Sequence, residues 1–212
     1  MASFTRWFRS KPASDPGTGP EDLERRLSEL EQEARTADAG FQWGPLNRAG
    51  DLCLRAGDRA RALRFYGRTI DTLLEDGQRE AARGVANKII RIHPGAVRTL
   101  CTLTWLDLAA QHMATALLHL RDYVEGARNA GEEKRTAEAV VEMARVIPEH
   151  EFLAAAADAL DRLDFPDKAG VVREWQRTGG SPDAVHDPDE LASFCLHAAV
   201  GSNAGRQDEL GA

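Results

Sequence analysis

The chain has 212 residues, 42% of them hydrophobic, 6% aromatic and 29% charged, with a formal net charge of -7. That length can bury a real core, and few aromatics with abundant alanine favour helix packed closely on helix. The acidic balance excludes a general nucleic-acid binder, which needs a basic surface to displace counterions.

Cys53, Cys101 and Cys195 are odd in number and form no CxxC pair, so neither a disulfide framework nor a zinc knuckle is expected and a reducing compartment is. The first residues, MASFTRWFRSKP, lack an apolar run of signal-peptide length, and no run approaches the ~20 residues that span a bilayer. The expected location is the cytoplasm, free or peripheral at the inner face of a membrane.

Residues 1 to 20 read as a basic, aromatic extension and linker. Phe4, Trp7 and Phe8 alternate with Arg6, Arg9 and Lys11, which suits a lipid headgroup interface or a groove on another protein. Residues 10 to 20 then hold three prolines and two glycines and cannot continue a helix. Residues 21 to 40 predict an amphipathic helix. Leu23, Leu27, Leu30 and Ala34 recur one turn apart on a charged segment, a single narrow stripe that must dock on something.

Residues 41 to 180 read as consecutive helices broken by short turns. The first runs from about Gly44 to Ala56 and stops at Gly57-Asp58. The second carries Ala62, Tyr66, Ile70, Leu73 and Leu74 on one face and stops at Asp76-Gly77; the third, with Ala82, Val85, Ala86, Ile89 and Ile90 inward, ends before His93-Pro94. Further helices are expected at about 96 to 110, 113 to 129 and 132 to 147, and a hairpin at about 150 to 163 and 167 to 177. Residues 181 to 212 form an acidic end. There Asp187-Pro188-Asp189-Glu190 combines an N-cap aspartate, proline at the first position and glutamate at the third, and starts a last helix through Val200.

The body repeats itself. Sliding residues 46 to 94 onto 100 to 148 gives ten identities in 49 pairs, among them Leu46/Leu100, Ala62/Ala116, Gly77/Gly131 and Pro94/Pro148. Coincident helix breakers point to stacked helical repeats. The helices at 21 to 37 and 188 to 200 are natural caps for such a stack.

The first copy resembles a tetratricopeptide repeat. Leu46, Ala49, Gly50 and Cys53 stand in the slots of that family's first helix, Ala62 and Tyr66 in its A-x3-F slots, and Ala82, Ala86, Pro94 and, in the second copy, Pro148 in later packing and terminating positions. Gly50 and Ala62 let two helices approach, and Tyr66 fills the groove beside them. Leucine replaces the family's tryptophan, and the period of 54 residues is three helices instead of two. The resemblance implies an all-α fold of antiparallel hairpins stacked as a short solenoid, with a docked N-terminal helix and a capping C-terminal one. It also implies a surface that binds peptides or proteins. The lysine, asparagine and arginine clamp of chaperone-binding members is not matched, Asn47 and Arg98 being the nearest residues.

The strongest binding candidate is an arginine cluster. Arg48, Arg55, Arg59, Arg61, Arg64 and Arg68 face only Asp51 and Asp58 in the same segment, and Arg61, Arg64 and Arg68 share a helix face, so guanidinium forks can grip an acidic partner. A solvated face, or cover by the acidic N-terminal helix, is the alternative. The six histidines have no metal-binding spacing, no catalytic or cofactor motif occurs, and Trp43, Trp105 and Trp175 read as packing anchors.

The expected function is a non-enzymatic scaffold or adaptor that binds one or more proteins, without cofactor, metal or nucleic acid. The alternative is an accessory subunit built into a larger, membrane-associated complex through its two ends, and an enzyme of helical fold ranks third. Self-association stays open.

Overall fold

The computed structural model describes residues 19–38 and 40–204, with side chains to Gly201. Among the described residues there are ten α-helices and no strand: α1 (Pro20–Thr36), α2 (Trp43–Arg55), α3 (Arg59–Glu75), α4 (Arg79–Ile92), α5 (Val97–Ala109), α6 (Met113–Ala130), α7 (Glu133–Val146), α8 (His150–Arg162), α9 (Pro166–Thr178) and α10 (Pro188–Ala204). None of these helices is long and apolar enough to cross a membrane. The fold is an all-α helical stack in which consecutive helices pack on one another, as the pattern predicts.

One device shapes most of the corners. A residue in the left-handed region ends each of α2, α3, α5, α6 and α8: Gly57, Gly77, Gln111, Gly131 and Asp164. The next amide donates back to a carbonyl five residues earlier, as from Asp58 to Cys53 at 2.9 Å, Gln78 to Leu73 at 2.7 Å and His112 to Asp107 at 2.8 Å. This is the Schellman closure, which satisfies carbonyls that a helix end leaves orphaned. The α4–α5 and α7–α8 corners instead contain Pro94 and Pro148. Pro94 is exposed and Pro148 half-buried, so these two end helices and do not fill the core.

The repeat is carried into space in a different phase from the one the identities suggest. Helices α2, α5 and α8 begin at residues 43, 97 and 150, and α3, α6 and α9 at 59, 113 and 166, spacings of 54 and then 53 residues. Helix α1 packs on α2 as α4 does on α5 and α7 on α8. Glu24 and Glu31 reach Arg61 and Arg68 of α3 at 2.7 and 3.0 Å, so α1 runs alongside α3 in the same direction. Three three-helix units therefore exist, α1–α3, α4–α6 and α7–α9. The N-terminal helix is the first member of the first unit, and the hairpin after residue 150 completes the third.

Leu46, Ala49, Ala62 and Tyr66 of unit one are buried, as are Ala82 and Ala86 of α4, the first helix of unit two. Gly50 is there for space: a Cβ on it would lie 2.6 Å from Cε1 of Tyr66. Tyr66 donates to Asp51 at 2.5 Å, and Lys88 of α4 donates to the same carboxylate at 2.9 Å.

Helix α5 is enclosed on nearly every side, with Val97 and every residue from Thr99 to Leu108 buried. Its outer flank is covered by α10, which lies against α5 and α3; the rings of Trp105 and Phe194 meet at 6.2 Å between centroids. The C-terminal helix thus covers apolar surface as a cap does, and that surface is the middle of the stack, not its last hairpin. The segment leading to it is tied down at the end of α7. Ser181 donates to the Arg145 carbonyl at 2.5 Å, the Val185 amide to Val146 at 3.0 Å, and Arg145 pairs with Asp183 at 3.1 Å.

Candidate functional site

Half of the arginine cluster is answered within the chain. Besides Arg61 and Arg68, Arg48 pairs with Glu33 of α1, and Arg61 also meets Asp58 at 3.1 Å. Arg68 lies over the Phe65 ring at 5.7 Å. Arg55, Arg59 and Arg64 are exposed and make no ion pair among the described residues; Arg64 lines a cleft of about 300 Å³ between α1 and α3 with Ser28 and Phe65. The acidic stripe of α1 therefore holds three of the six arginines, and such surface pairs contribute about 0–1 kcal/mol each. Phe4, Trp7 and Phe8 lie outside the described residues.

The three thiols are free and buried. Burial, with some help from Glu149, pushes the Cys195 thiol up to about 12, so it stays protonated and unreactive at neutral pH. Among the described residues no group of three or more His, Cys, Asp or Glu side chains could hold a metal ion.

The middle unit contains a feature the sequence reading passed over. Asp107 of α5 is 0% exposed. One of its carboxylate oxygens is ion-paired with Arg83 of α4, and the other lies 2.6 Å from Nδ1 of His119 on α6. Arg83 in turn donates to Nδ1 of His112 at 3.1 Å. With Arg83 against Asp107, the carboxylate accepts and His119 Nδ1 carries the proton. Burial holds the His119 imidazole below its usual range, against the pull of Asp122 and with a smaller contribution from the nearby Arg83 charge, so it is neutral at pH 7.

The other units show how unusual this is. At the position of Asp107 they have Cys53 and Leu160, at that of His119 they have Phe65 and Val172, and Ala137 of unit three stands where Arg83 does; all of these are buried. Three positions that are apolar and buried in unit three form one ionic centre in unit two. Buried ion pairs of this kind are weak sources of stability and are at their best attested when they fix register or a unique arrangement. A clue was present: Asp107 is the one charged residue in the apolar run Leu100 to Ala110.

A groove between α6 and α8 is open on the surface. Its floor is Leu117, Leu120, Val124, Ala155 and Ala159, and Arg121, Asp158 and Arg162 stand along its edges. The alanines leave the α8 backbone approachable. No known family, curated protein or solved structure matches this chain.

Proposed function

We propose that this protein is a non-enzymatic interaction scaffold or adaptor that receives segments of partner proteins on its helical stack. The observation that carries the reading is α10: a helix outside the three units is seated across α3 and α5 and buries Leu191, Cys195 and Ala199 there. A stack that seats one such helix in cis has surface chemistry suited to seating others in trans. The tetratricopeptide-like slots of unit one support the same expectation.

The competing reading is an accessory subunit held in a larger assembly through its ends. Against it, residues 181–201 are engaged with the chain's own α5 and α7, which leaves fewer residues free at that end. The His119–Asp107 pair has the form a catalytic dyad would take, but a fully buried carboxylate already met by Arg83 suits a structural role.

Affinity purification of the full chain from its native cells, beside a copy lacking residues 1 to 20, separates these readings. A soluble set of substoichiometric partners that survives the truncation is the expected result. Stoichiometric recovery of a membrane complex that disappears on truncation would replace the scaffold with the subunit.

A further inference from the structure

The repeat supplies a comparison within the molecule. α10 rests where units one and two meet, with Phe194 on Trp105. One unit further along, the counterpart of Trp105 is Asp158, and the counterparts of α3 and α5 are α6 and α8. The α6–α8 groove is thus the register equivalent of the surface that α10 covers, with α6 and α8 packed directly on each other beneath it, and no helix among the described residues lies in it. Burial follows the cover: Thr102 and Trp105 are buried, whereas their counterparts are half-buried Ala155 and exposed Asp158.

The lining says what fits. A second copy of α10 does not, because Phe194 would fall on the carboxylate of Asp158 in place of the Trp105 ring. Arg121 also replaces Gly67 on the opposite wall. Asp158 lies 3.8 Å from Arg173 and Arg121 pairs with Asp122 at 2.9 Å, while Arg162 has no ion pair among the described residues. The groove therefore has an apolar floor and a cationic balance at its edges.

We infer that the α6–α8 groove is the docking site for an amphipathic helix of a partner protein, with a narrow leucine/alanine stripe flanked by carboxylates that meet Arg121 and Arg162. The alanine floor admits close helix approach, and the guanidinium forks select acidic flanks. This rests on the scaffold reading and gives it a site and a partner chemistry.

The test uses isotope-labelled full-length protein and two synthetic 18-residue helices with the same Leu/Ala stripe, one flanked by Glu and one by Lys. The Glu-flanked helix should shift amide resonances of α6 and α8 and bind at least tenfold tighter than the Lys-flanked one. The double variant Arg121→Glu/Arg162→Glu changes exposed side chains only, and should invert that preference. Equal binding of the two helices, shifts confined to α3 and α5, or concentration-dependent self-association that perturbs α6 and α8 would each overturn the proposal. If the double variant keeps the native partner set while the Glu-flanked helix fails to bind, the groove is refuted and the scaffold stands. Absence of any native partner from the unmodified chain would remove the scaffold itself.

Discussion

Replacing Arg83 by alanine isolates the cost of the ionic centre. The substitution leaves Asp107, 0% exposed, with a carboxylate whose only remaining cover is the neutral imidazole of His119 at 2.6 Å. Breaking a buried pair by removing one partner costs about 3–5 kcal/mol. Arg83 keeps 17% of its side-chain exposure, so water can reach the vacated site and the lower end, about 3 kcal/mol, applies. For a chain of this size that is a fall in Tm of roughly 6–12 °C. The triple variant Arg83→Ala/Asp107→Leu/His119→Val instead installs the residues of unit three, Ala137, Leu160 and Val172, which are buried there without charge. Apolar replacement of a whole buried ionic group is often neutral or stabilising by ~1–4 kcal/mol. The triple variant should therefore regain most of what the single one loses. Urea unfolding followed by helical circular dichroism measures both. A single variant within about 1 kcal/mol of the parent, below the loss expected for a broken buried pair, or a triple variant as unstable as the single one, would refute the account of the centre as a costly ionic replacement of an apolar one.

His119 titrates below its usual range in the folded chain, so the unfolded chain binds more protons as pH falls below about 6.5 and stability declines there; Tm measured from pH 7.5 to 5 should fall, and fall less in the triple variant. Gly50→Ala and Gly84→Ala should have opposite signs. Each gains about 1 kcal/mol of helix propensity, but only at Gly50 does the new methyl strike a ring, Tyr66, that has no exposed surface to move into, and overpacking costs about 1–3 kcal/mol. Equal stabilisation by the two would show that the α2–α3 contact is looser than described. Gln111 holds φ at 56° where the first unit has Gly57, so Gln111→Gly should raise stability by about 1 kcal/mol, readable as a shift of the denaturation midpoint without a change in slope.

Local chemistry made the helices legible. Gly57, Gly77 and Gly131 can take left-handed backbone at no steric cost, Pro94, Pro148 and Pro166 stop or start helices, and the apolar spacing between them has helical period. The expected helix at 188 to 200 appears as α10, and Asp187 accepts from the amides of Asp189 and Glu190 at 3.0 and 2.9 Å. The arginine face is legible as a cluster, and so is the acidic helix beside it that can cover it. The ionic centre was not recognised, because Arg83, Asp107 and His119 are spread over three helices and become neighbours only through packing.

What the sequence determined by itself is the number, position and inward face of the helices, since caps, breakers and periodicity act over a few residues and need no distant partner. Tertiary structure alone decided the phase of the repeat. It also decided that α1 belongs to the first unit, that α10 returns to the middle of the stack, and that α6 and α8 leave a groove open. An apolar stripe such as Leu191, Phe194 and Cys195 states that it must be buried, because leaving it in water costs roughly 25 cal/mol per Å². It does not state against which helix. That choice depends on shape and charge at sites up to a hundred residues away, as when Trp105 on one flank accepts Phe194 and Asp158 on the next offers no such ring.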